Sequence, residues 1–368
     1  MLSTIIKLSS LRKHTELFDE LTLEQARNIA TEASKQGVAG WILERLKTDY
    51  QSEQGYEILK NELLKQTLLV HLKNQENISI INEIYRLLNA ENIEVVLLKG
   101  GAMMTSYYSQ PSLRPIGDID LWIDKNDIYR ARDILIAAGA VSTNTDQPAV
   151  IDMEHAHLAA LIFRGQIVEL HHRLYNIAFD MELPNAISSY IEQRGNYLVL
   201  NEKAMFFHLL THAGLDTMRR GLRVGWIVDI LFMLTQSKNP KELISFVRQS
   251  NPNAEIHLKK VIGMAMTMMN DDMQSQYIMI GFNPIEFDPL GKLKKISSLH
   301  LKYILLSAKI HDFYIRIHNK HGLRAKLLEI KTIFTYETNR TREYYRNNCL
   351  FVAWIRRIFG KGIVKRDL

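Results

Sequence analysis

Two acidic residues, Asp118 and Asp120, are the clearest candidates for chemistry in this chain. They stand two residues apart, just before the apolar residues 121–123, and on a β-strand residues i and i+2 point to the same face. Carboxylates that close repel each other unless a cation lies between them. Oxygen donors at this spacing suit Mg²⁺, which takes its remaining ligands from water and substrate phosphates. The pair therefore indicates a metal site, with a solvated loop as the alternative.

A third acidic residue, Glu169, stands in a later alternating run at 167–171. Its apolar neighbours, Val168 and Leu170, place its carboxylate where burial is costly without a partner. If this run is a strand beside Asp118 and Asp120, the three carboxylates meet. Two metal ions held there can align an attacking oxygen with a triphosphate. The alternative is a glutamate that faces solvent on an edge strand.

A pair of glycines, Gly100 and Gly101, follows a short β-branched run and precedes a helical pattern. Without side chains, the backbone N–H groups at such a junction can approach a phosphate closely, and the helix N-terminus adds favourable partial charge. The pair is therefore a candidate phosphate site, and an ordinary tight turn is the alternative.

Three basic residues near these motifs are candidates for phosphate contact. Lys99 directly precedes the glycine pair, so it either reaches a phosphate as a point charge or lies solvated at a strand end. Arg114 belongs to a Pro-containing loop that must fold over the same pocket, where a guanidinium binds phosphate oxygens bidentately. His171 shares the face of Glu169 if that strand continues. It then contacts phosphate or orients a water on the metal, unless it is a hydrogen-bonded core histidine.

The spacing of apolar residues predicts the elements that position these side chains. Residues 22–90 repeat at three- and four-residue steps and predict helices. The middle of the chain is predicted to hold strands at 93–98 and 119–123, helices at 102–108 and 127–138, and a hairpin of 158–163 with 167–171. From about residue 184 the helical pattern returns and continues to the end. The sequence therefore predicts an α+β fold, with a small mixed β-sheet core between N-terminal helices and a large C-terminal helical region.

Three domains follow from this pattern, and charge separates one segment from the rest. We place an N-terminal helical region at 1–90, an α/β core at 91–183 and a C-terminal helical domain at 184–368. The net charge of +6 comes from residues 339–368, which hold eight basic and two acidic residues. The balanced remainder argues against a long nucleic-acid substrate. The basic, aromatic tail favours contact with a membrane surface or an acidic partner, or it caps the helical domain.

The cysteine content and the hydropathy pattern indicate a cytoplasmic protein. The only cysteine, Cys349, has no second cysteine with which to form an internal disulfide. No apolar run approaches the eighteen or so residues of a membrane span. The first residues are too interrupted by polar side chains for a signal-peptide core.

Three segments resemble a known family: LLKGGAMM at 97–104, LRPIGDIDLWI at 113–123 and VELHHRL at 168–174. They are similar to the uncharacterised nucleotidyltransferase family of the DNA polymerase β superfamily, whose members share a glycine turn, an Asp-x-Asp strand and a third acidic residue. The resemblance extends over about residues 35–235 and includes the Glu154-His155 stretch.

The resemblance also reaches the helical side of the chain, through His212, Arg223 and Asp229. We expect these residues to join the helical domain to the core. The alternative is that they line the pocket for the nucleotide base or the acceptor.

The resemblance implies roles for five of the candidate residues. Gly100 and Gly101 would cradle a triphosphate, Asp118 and Asp120 would bind Mg²⁺, and Glu169 would be a third ligand or the base for the acceptor hydroxyl. Two residues depart from the superfamily pattern. Gly101 replaces a common serine, which removes a hydroxyl contact to phosphate. Glu169 replaces the usual Asp, and its extra methylene weakens the role of base.

The resemblance implies an enzyme that moves a nucleoside monophosphate from an NTP, with ATP the expected donor, to an acceptor with release of pyrophosphate. The implied cofactor is Mg²⁺, as two ions, with Mn²⁺ as a substitute. The acceptor stays open between a protein side chain, a sugar or other small metabolite, and an RNA end. The alternative is a catalytically silent module that binds nucleotide or regulates. A nucleic-acid-modifying enzyme is the third hypothesis, which the balanced charge of the body opposes.

Overall fold

Helices and one β-sheet make up the computed structural model, which describes residues 1–18, 20–50, 55–143, 156–175, 181–220, 223–252, 254–279 and 281–282. The helices in these residues are α1 (Leu2–Ser9), α2 (Leu23–Lys35), α3 (Ala39–Asp49), α4 (Tyr56–Asn89), α5 (Lys99–Ala102), α6 (Ile128–Ala137), α7 (Glu202–Arg220), α8 (Val224–Gln236), α9 (Pro240–Ser250), α10 (Ala254–Met266) and α11 (Asp271–Met279). The strands are β1 (Val96–Leu97), β2 (Asp118–Trp122), β3 (Val141–Ser142), β4 (Leu161–Phe163), β5 (Gln166–His171), β6 (Ile191–Arg194) and β7 (Tyr197–Leu200).

The seven strands form one mixed sheet in the order β3-β4-β5-β2-β1-β7-β6. β2 runs parallel to β5 and β1 runs parallel to β7, whereas the other neighbouring pairs are antiparallel. Helices precede the sheet in the chain, and α7–α11 follow it. The predicted α+β class, with a mixed sheet after N-terminal helices, is therefore confirmed.

Local sequence signals set the ends of several elements. Thr22 and Gln25 form a reciprocal capping box that begins α2. Gly139, with a φ of +100°, ends α6 as a left-handed residue past the last turn. Arg164 and Gly165 both have positive φ, as a two-residue turn between antiparallel strands requires. The predicted hairpin is thus confirmed as β4 and β5.

The N-terminal helices hold the segment that leads into β2. The buried Asn74 of α4 donates hydrogen bonds to the carbonyl oxygens of Pro111 and Arg114, at 2.7 and 3.0 Å. At the end of α2, the carbonyl oxygen of Gln36 accepts a hydrogen bond of 2.9 Å from the N–H of Gly225 in α8. The N-terminal helices therefore contact both the loop before the Asp pair and the helical layer that follows the sheet.

Several boundaries differ from the prediction. The sheet includes β6 and β7 at residues 191–200, beyond residue 183 where we placed the end of the core, because four-residue strands carry too little periodicity to be told from the helix that follows. The strand expected at 93–98 is confined to β1. The helix expected at 102–108 begins at Lys99 and continues as a π-helical turn, Met103–Tyr107. The three-domain division itself stays a prediction.

The predicted C-terminal helical region is described only in part. Helices α7 to α11 occupy residues 202–279, and the basic tail at 339–368 lies outside the described residues. Among the described helices, none combines the length and the apolar character needed to cross a membrane.

Candidate active site

Asp120 is the centre of a cluster of charged side chains at β2 and β5. Its side chain is almost fully buried, and Oδ1 accepts hydrogen bonds from Lys99 Nζ at 2.6 Å and from His171 Nε2 at 2.9 Å. Burial raises the pKa of this carboxyl, but Lys99 and His171 outweigh burial, so the pKa lies well below the usual value. Asp120 is therefore ionised and held by two cationic or proton-donating groups.

Asp118 lies on the same face of β2, at the mouth of the cluster. Its residue is exposed to solvent, whereas Asp120 is only 2% exposed. Neighbouring protein atoms that partly desolvate the carboxyl, and then the charge of Asp120, raise the pKa of Asp118 to about 6. Asp118 thus adds negative charge that the neighbouring cations only partly offset.

Glu169 stands directly beside Asp120, because β5 is parallel to β2 and their register pairs these two residues. Its Oε2 lies 3.4 Å from Nε2 of His171, and its side chain is 23% exposed. The hydrogen bond with His171 is the main cause of a lowered pKa at Glu169. The predicted adjacency of the three acids is confirmed, and Glu169 is neither a fully solvated nor a fully buried glutamate.

His171 lies inside the cluster, with its side chain 3% exposed. Burial lowers the pKa of its imidazole, but the hydrogen bonds to Asp120 and Glu169 outweigh burial, and the net shift is upward. Nδ1 has no hydrogen-bond partner among the described residues. The structure therefore places His171 among the acids, where it can donate a hydrogen bond to either carboxylate.

Lys99 is a half-buried counter-ion, with its side chain 17% exposed, and does not lie fully solvated at a strand end. It begins α5 with a φ of +44°, in the left-handed region that non-glycine residues occupy at a cost of about 1–3 kcal/mol. The contact with Asp120 holds it there. Burial lowers the pKa of the ammonium, yet Asp120 outweighs burial and the net shift is upward, so Lys99 is charged.

The glycine pair lies in the first turn of α5, with no left-handed residue among the two. A Cβ on Gly100 would lie 3.1 Å from Ile116 Cγ2 and 3.7 Å from Arg114 Nη2, so this position faces the loop before β2. A Cβ on Gly101 would lie 2.9 Å from Leu97 Cδ1. The absence of a side chain at Gly101 therefore allows α5 to pack against Leu97 of β1. At Gly100 it allows the start of α5 to lie close to the loop before β2.

Arg114 is buried and bound to the helical layer. Its Nε donates to both carboxylate oxygens of Asp229 in α8, at 3.0 and 2.8 Å, and its Nη1 donates to the carbonyl oxygen of Pro115 at 2.6 Å. Tyr108 OH donates to the same Asp229 at 3.0 Å. Asp229 thus joins the helical layer to the loop, as expected, while only Nη2 of Arg114 lies near Gly100.

Two residues of this region were absent from the sequence-based set. The imidazole ring of His157 lies 5.0 Å from that of His171 and is tilted by 53°, and an isolated β-bridge joins the two residues. Tyr108 completes the buried pair of Arg114 and Asp229. Neither has a spacing signal, because each meets its partner only across the fold. The Glu154-His155 stretch lies outside the described residues.

The residues present fit a divalent cation. Donor atoms of Asp120, Glu169 and His171 lie within 4.8 Å of one another. Carboxylate oxygens suit Mg²⁺, and an imidazole beside them is also accepted by Mn²⁺. The pKa of Asp118 is raised first by partial burial and then by the charge of Asp120, so a cation bound nearby would favour its ionised form. The grouping differs from the predicted metal set in one respect, since His171 lies among the donors and Asp118 lies at their edge.

The comparison with known families agrees with this geometry. The sequence profile of a family described as uncharacterised nucleotidyltransferase matches residues 23–270, which is more than half of the chain and wider than the 35–235 over which we saw the resemblance. No match was found among curated proteins or among solved structures. The matched span contains the acidic cluster, the start of α5 and Asp229 in one continuous stretch. The chain therefore belongs to the uncharacterised nucleotidyltransferase family.

Proposed function

We propose that the protein transfers a nucleoside monophosphate from an NTP, with ATP as the expected donor, to a hydroxyl of an acceptor. The acceptor is a protein side chain, a sugar or another small metabolite. The bond between the α-phosphorus and the oxygen that links it to the β-phosphorus breaks, and pyrophosphate leaves with that oxygen. The acceptor oxygen bonds to the α-phosphorus and its proton is released to solvent. Mg²⁺, as two ions, or Mn²⁺ is the proposed cofactor.

The observation that carries this proposal is the 2.6 Å contact between Lys99 Nζ and Asp120 Oδ1. It places the start of α5, where a triphosphate would bind, directly against the carboxylates that would hold the metal. The two halves of a nucleotide site were separate motifs in the sequence, about twenty residues apart. Their contact in the fold supports one site that serves both.

The residues of the cluster and of the start of α5 have separate proposed roles. Asp118, Asp120 and Glu169 would hold the metal, which when bound neutralises phosphate charge and aligns the reacting groups. Lys99 and the N–H groups of Gly100 and Gly101 would bind the triphosphate, because the first turn of a helix offers N–H groups without helical acceptors.

Glu169 and Arg114 were each left with more than one role. The lowered pKa of Glu169, caused first by its hydrogen bond with His171, makes it a weak base and favours the ligand role. Arg114 is committed to Asp229 through Nε, so it would act on the phosphates only through Nη2 and its net charge. His171 would orient the carboxylates or contact a phosphate.

The test is nucleotide turnover with the full chain. The protein is mixed with Mg²⁺ or Mn²⁺ and each labelled NTP, alone and with a small-molecule and protein extract, and pyrophosphate release and label transfer are measured. We expect turnover with at least one NTP, and its loss in Asp118→Asn and Asp120→Asn.

The matched control is Asp133→Asn, which removes an exposed carboxylate of α6 whose ion pair, within the described part of the chain, is with Arg132. Turnover that survives both Asp118→Asn and Asp120→Asn contradicts the metal assignment. Loss of turnover in the control as well shows that a general change of charge or fold, and not the acidic cluster, is responsible.

One observation favours a second candidate function, the catalytically silent nucleotide-binding or regulatory module. The ammonium of Lys99 already neutralises Asp120, so the cluster is partly charge-balanced by the protein itself. This candidate predicts saturable NTP binding, measured by calorimetry, with no pyrophosphate release for any NTP and acceptor extract.

A further inference from the structure

The middle of α4 is less buried than either end of the helix. Leu59 and Leu63 toward one end, and Ile80 and Ile84 toward the other, are buried. All ten residues from 64 to 73 are exposed or half-buried, although α4 continues through them without a break. Residues 66, 67, 70 and 71 are the half-buried ones, so these three turns are packed on one side and exposed on the other.

The same ten residues are rich in leucine. The side chains of Leu64, Leu68, Leu69 and Leu72 belong to residues that are 40, 57, 63 and 56% exposed. Together they form an apolar patch of a few hundred Å², a size that on soluble proteins commonly marks an interaction site. A solvated helix face normally carries polar residues at such positions.

A row of five residues through this patch has an unusual order. Lys60, Leu64, Leu68, Leu72 and Glu76 follow one another at four-residue steps, and such residues form one ridge on the helix surface. We name them the leucine row. Read in either direction, the row is charge, three leucines, opposite charge, and Leu68 is its midpoint.

This order makes the row complementary to itself. A two-fold axis through Leu68 brings the leucine row against that of a second copy, so that Leu64 meets Leu72 and Lys60 meets Glu76 on both sides. Two-fold symmetric contacts require this kind of self-complementary patch. Ridges of the i±4 class also interdigitate in the commonest helix packing.

The charges at the ends of the row are available for such a contact. Lys60 pairs with Glu57 at 2.9 Å, and Glu76 pairs with Lys73 at 3.1 Å, both within α4 at the surface. Exposed pairs of this kind contribute little to stability and can exchange partners. A lipid surface would favour the positive end alone, whereas a second copy uses both ends.

We propose that the leucine row is the contact surface of a symmetric dimer of this chain. The row spans sixteen residue steps, about 24 Å of helix, so the interface is small. A dissociation constant on the order of micromolar is expected for an interface of this size. The proposal does not depend on the catalytic activity of the acidic cluster.

The first test is sedimentation of the full chain over a range of concentrations, from below to well above micromolar. We expect a monomer–dimer equilibrium that Leu68→Glu weakens by at least about thirtyfold, because two like charges would meet at the centre of the interface. Ile136→Glu is the matched control, since Ile136 is an exposed apolar residue of α6, 41% exposed, outside the row. It should leave the equilibrium unchanged.

The second test uses the charges at the ends of the row. Lys60→Glu and Glu76→Lys should each weaken the dimer, because each creates two like-charged contacts, and the double variant should restore it. Helicity measured by circular dichroism checks that α4 stays folded in every variant. A chain that remains monomeric at all concentrations overturns the proposal, as does a dimer indifferent to Leu68→Glu. Failure of the double variant to restore the dimer overturns the antiparallel register through Leu68.

Discussion

Two groups of charged residues in this fold, each built around a buried aspartate, are organised in opposite ways. In the acidic cluster, Asp118, Asp120 and Glu169 face Lys99 and His171. In the second group, which we call the interlayer ion pair, one arginine meets one aspartate, Arg114 with Asp229, and Tyr108 adds a hydrogen bond.

The difference lies in how completely the charges are matched. The interlayer ion pair is buried, both carboxylate oxygens of Asp229 accept from Nε of Arg114, and the pair is neutral as a whole, which makes burial of charge tolerable. The acidic cluster keeps a surplus carboxylate, an opening at Asp118 and a lysine held in a left-handed backbone conformation. A pair that only joins two layers needs none of these features, so the surplus points to a ligand.

The largest expected effect separates activity from stability at the surplus carboxylate. Asp118→Asn should lower turnover by about a thousandfold or more, a barrier increase of about 4 kcal/mol. The same change should leave the free energy of unfolding equal or slightly higher, because it removes repulsion between Asp118 and Asp120. Turnover and urea unfolding are measured on the same preparation. If Asp118→Asn lowers both turnover and the free energy of unfolding, Asp118 contributes to stability and not specifically to turnover.

The interlayer ion pair should show the reverse behaviour. Arg114→Met leaves the Asp229 carboxylate buried without its partner, and it should lower the free energy of unfolding by about 3 to 4 kcal/mol. Arg164→Met is the control, because Arg164 pairs with Glu83 at the surface and should cost less than about 1 kcal/mol. Equal losses in the two variants would mean that the buried pair has no special structural role.

A buried histidine in the helical layer extends the comparison to a neutral group. Burial lowers the pKa of His257 in α10 to about 4, from 6.5, and Nδ1 has no partner among the described residues. The unfolded state therefore binds more protons between these two pH values, and stability falls as the pH drops through them. The loss should approach about 2 kcal/mol at pH 5 and about 3 kcal/mol at pH 4.

Urea unfolding at several pH values checks this dependence. His257→Asn should remove its own share and make the dependence shallower, while His14→Asn, at a partly exposed position near the N-terminus, should not. If the wild-type chain and His257→Asn lose stability in parallel on acidification, another group controls the effect.

The smallest expected effect concerns Lys99, the lysine of the acidic cluster. Lys99→Met removes a positive charge 2.6 Å from Asp120, so binding of Mn²⁺ without nucleotide should become roughly tenfold tighter. Lys125→Met, on the loop after β2, should have no such effect. Binding is followed by electron paramagnetic resonance of free Mn²⁺, and weaker binding in Lys99→Met would show that the lysine organises the carboxylates and does not compete with the metal.

The parts of the acidic cluster that could be predicted from the sequence are those set by residues close together in the chain. Asp118 and Asp120 were assigned to one face because strand geometry alone requires it. The hairpin that carries Glu169 was also predictable, since Arg164-Gly165 is a turn signal between two apolar runs. The position of Glu169 next to Asp120 was a conditional prediction, and the parallel register of β2 and β5 supplied the condition.

The parts that sequence reasoning missed depend on contacts between distant segments. Arg114 was expected at the phosphates, but its partner Asp229 lies 115 residues further along the chain, and no local pattern marks such a pair. Lys99 was left between two roles, and only the fold shows that it reaches Asp120. The short strands β6 and β7 were missed because they are held by pairing, β7 with the distant β1 and β6 with β7, and not by a periodicity of their own.

The topology of the sheet also determines when, during folding, the residues of the acidic cluster come together. β2 must align in parallel with β5, and β1 with β7, which begins about a hundred residues later. Parallel pairing between distant segments requires long loops to close, and such steps are slow in folding. During synthesis, Asp120 and Glu169 would therefore stay apart until the chain through β5 has been made and paired. The proposed binding of a metal or nucleotide to the acidic cluster would accordingly be a late event, and its rate of appearance would report on sheet assembly.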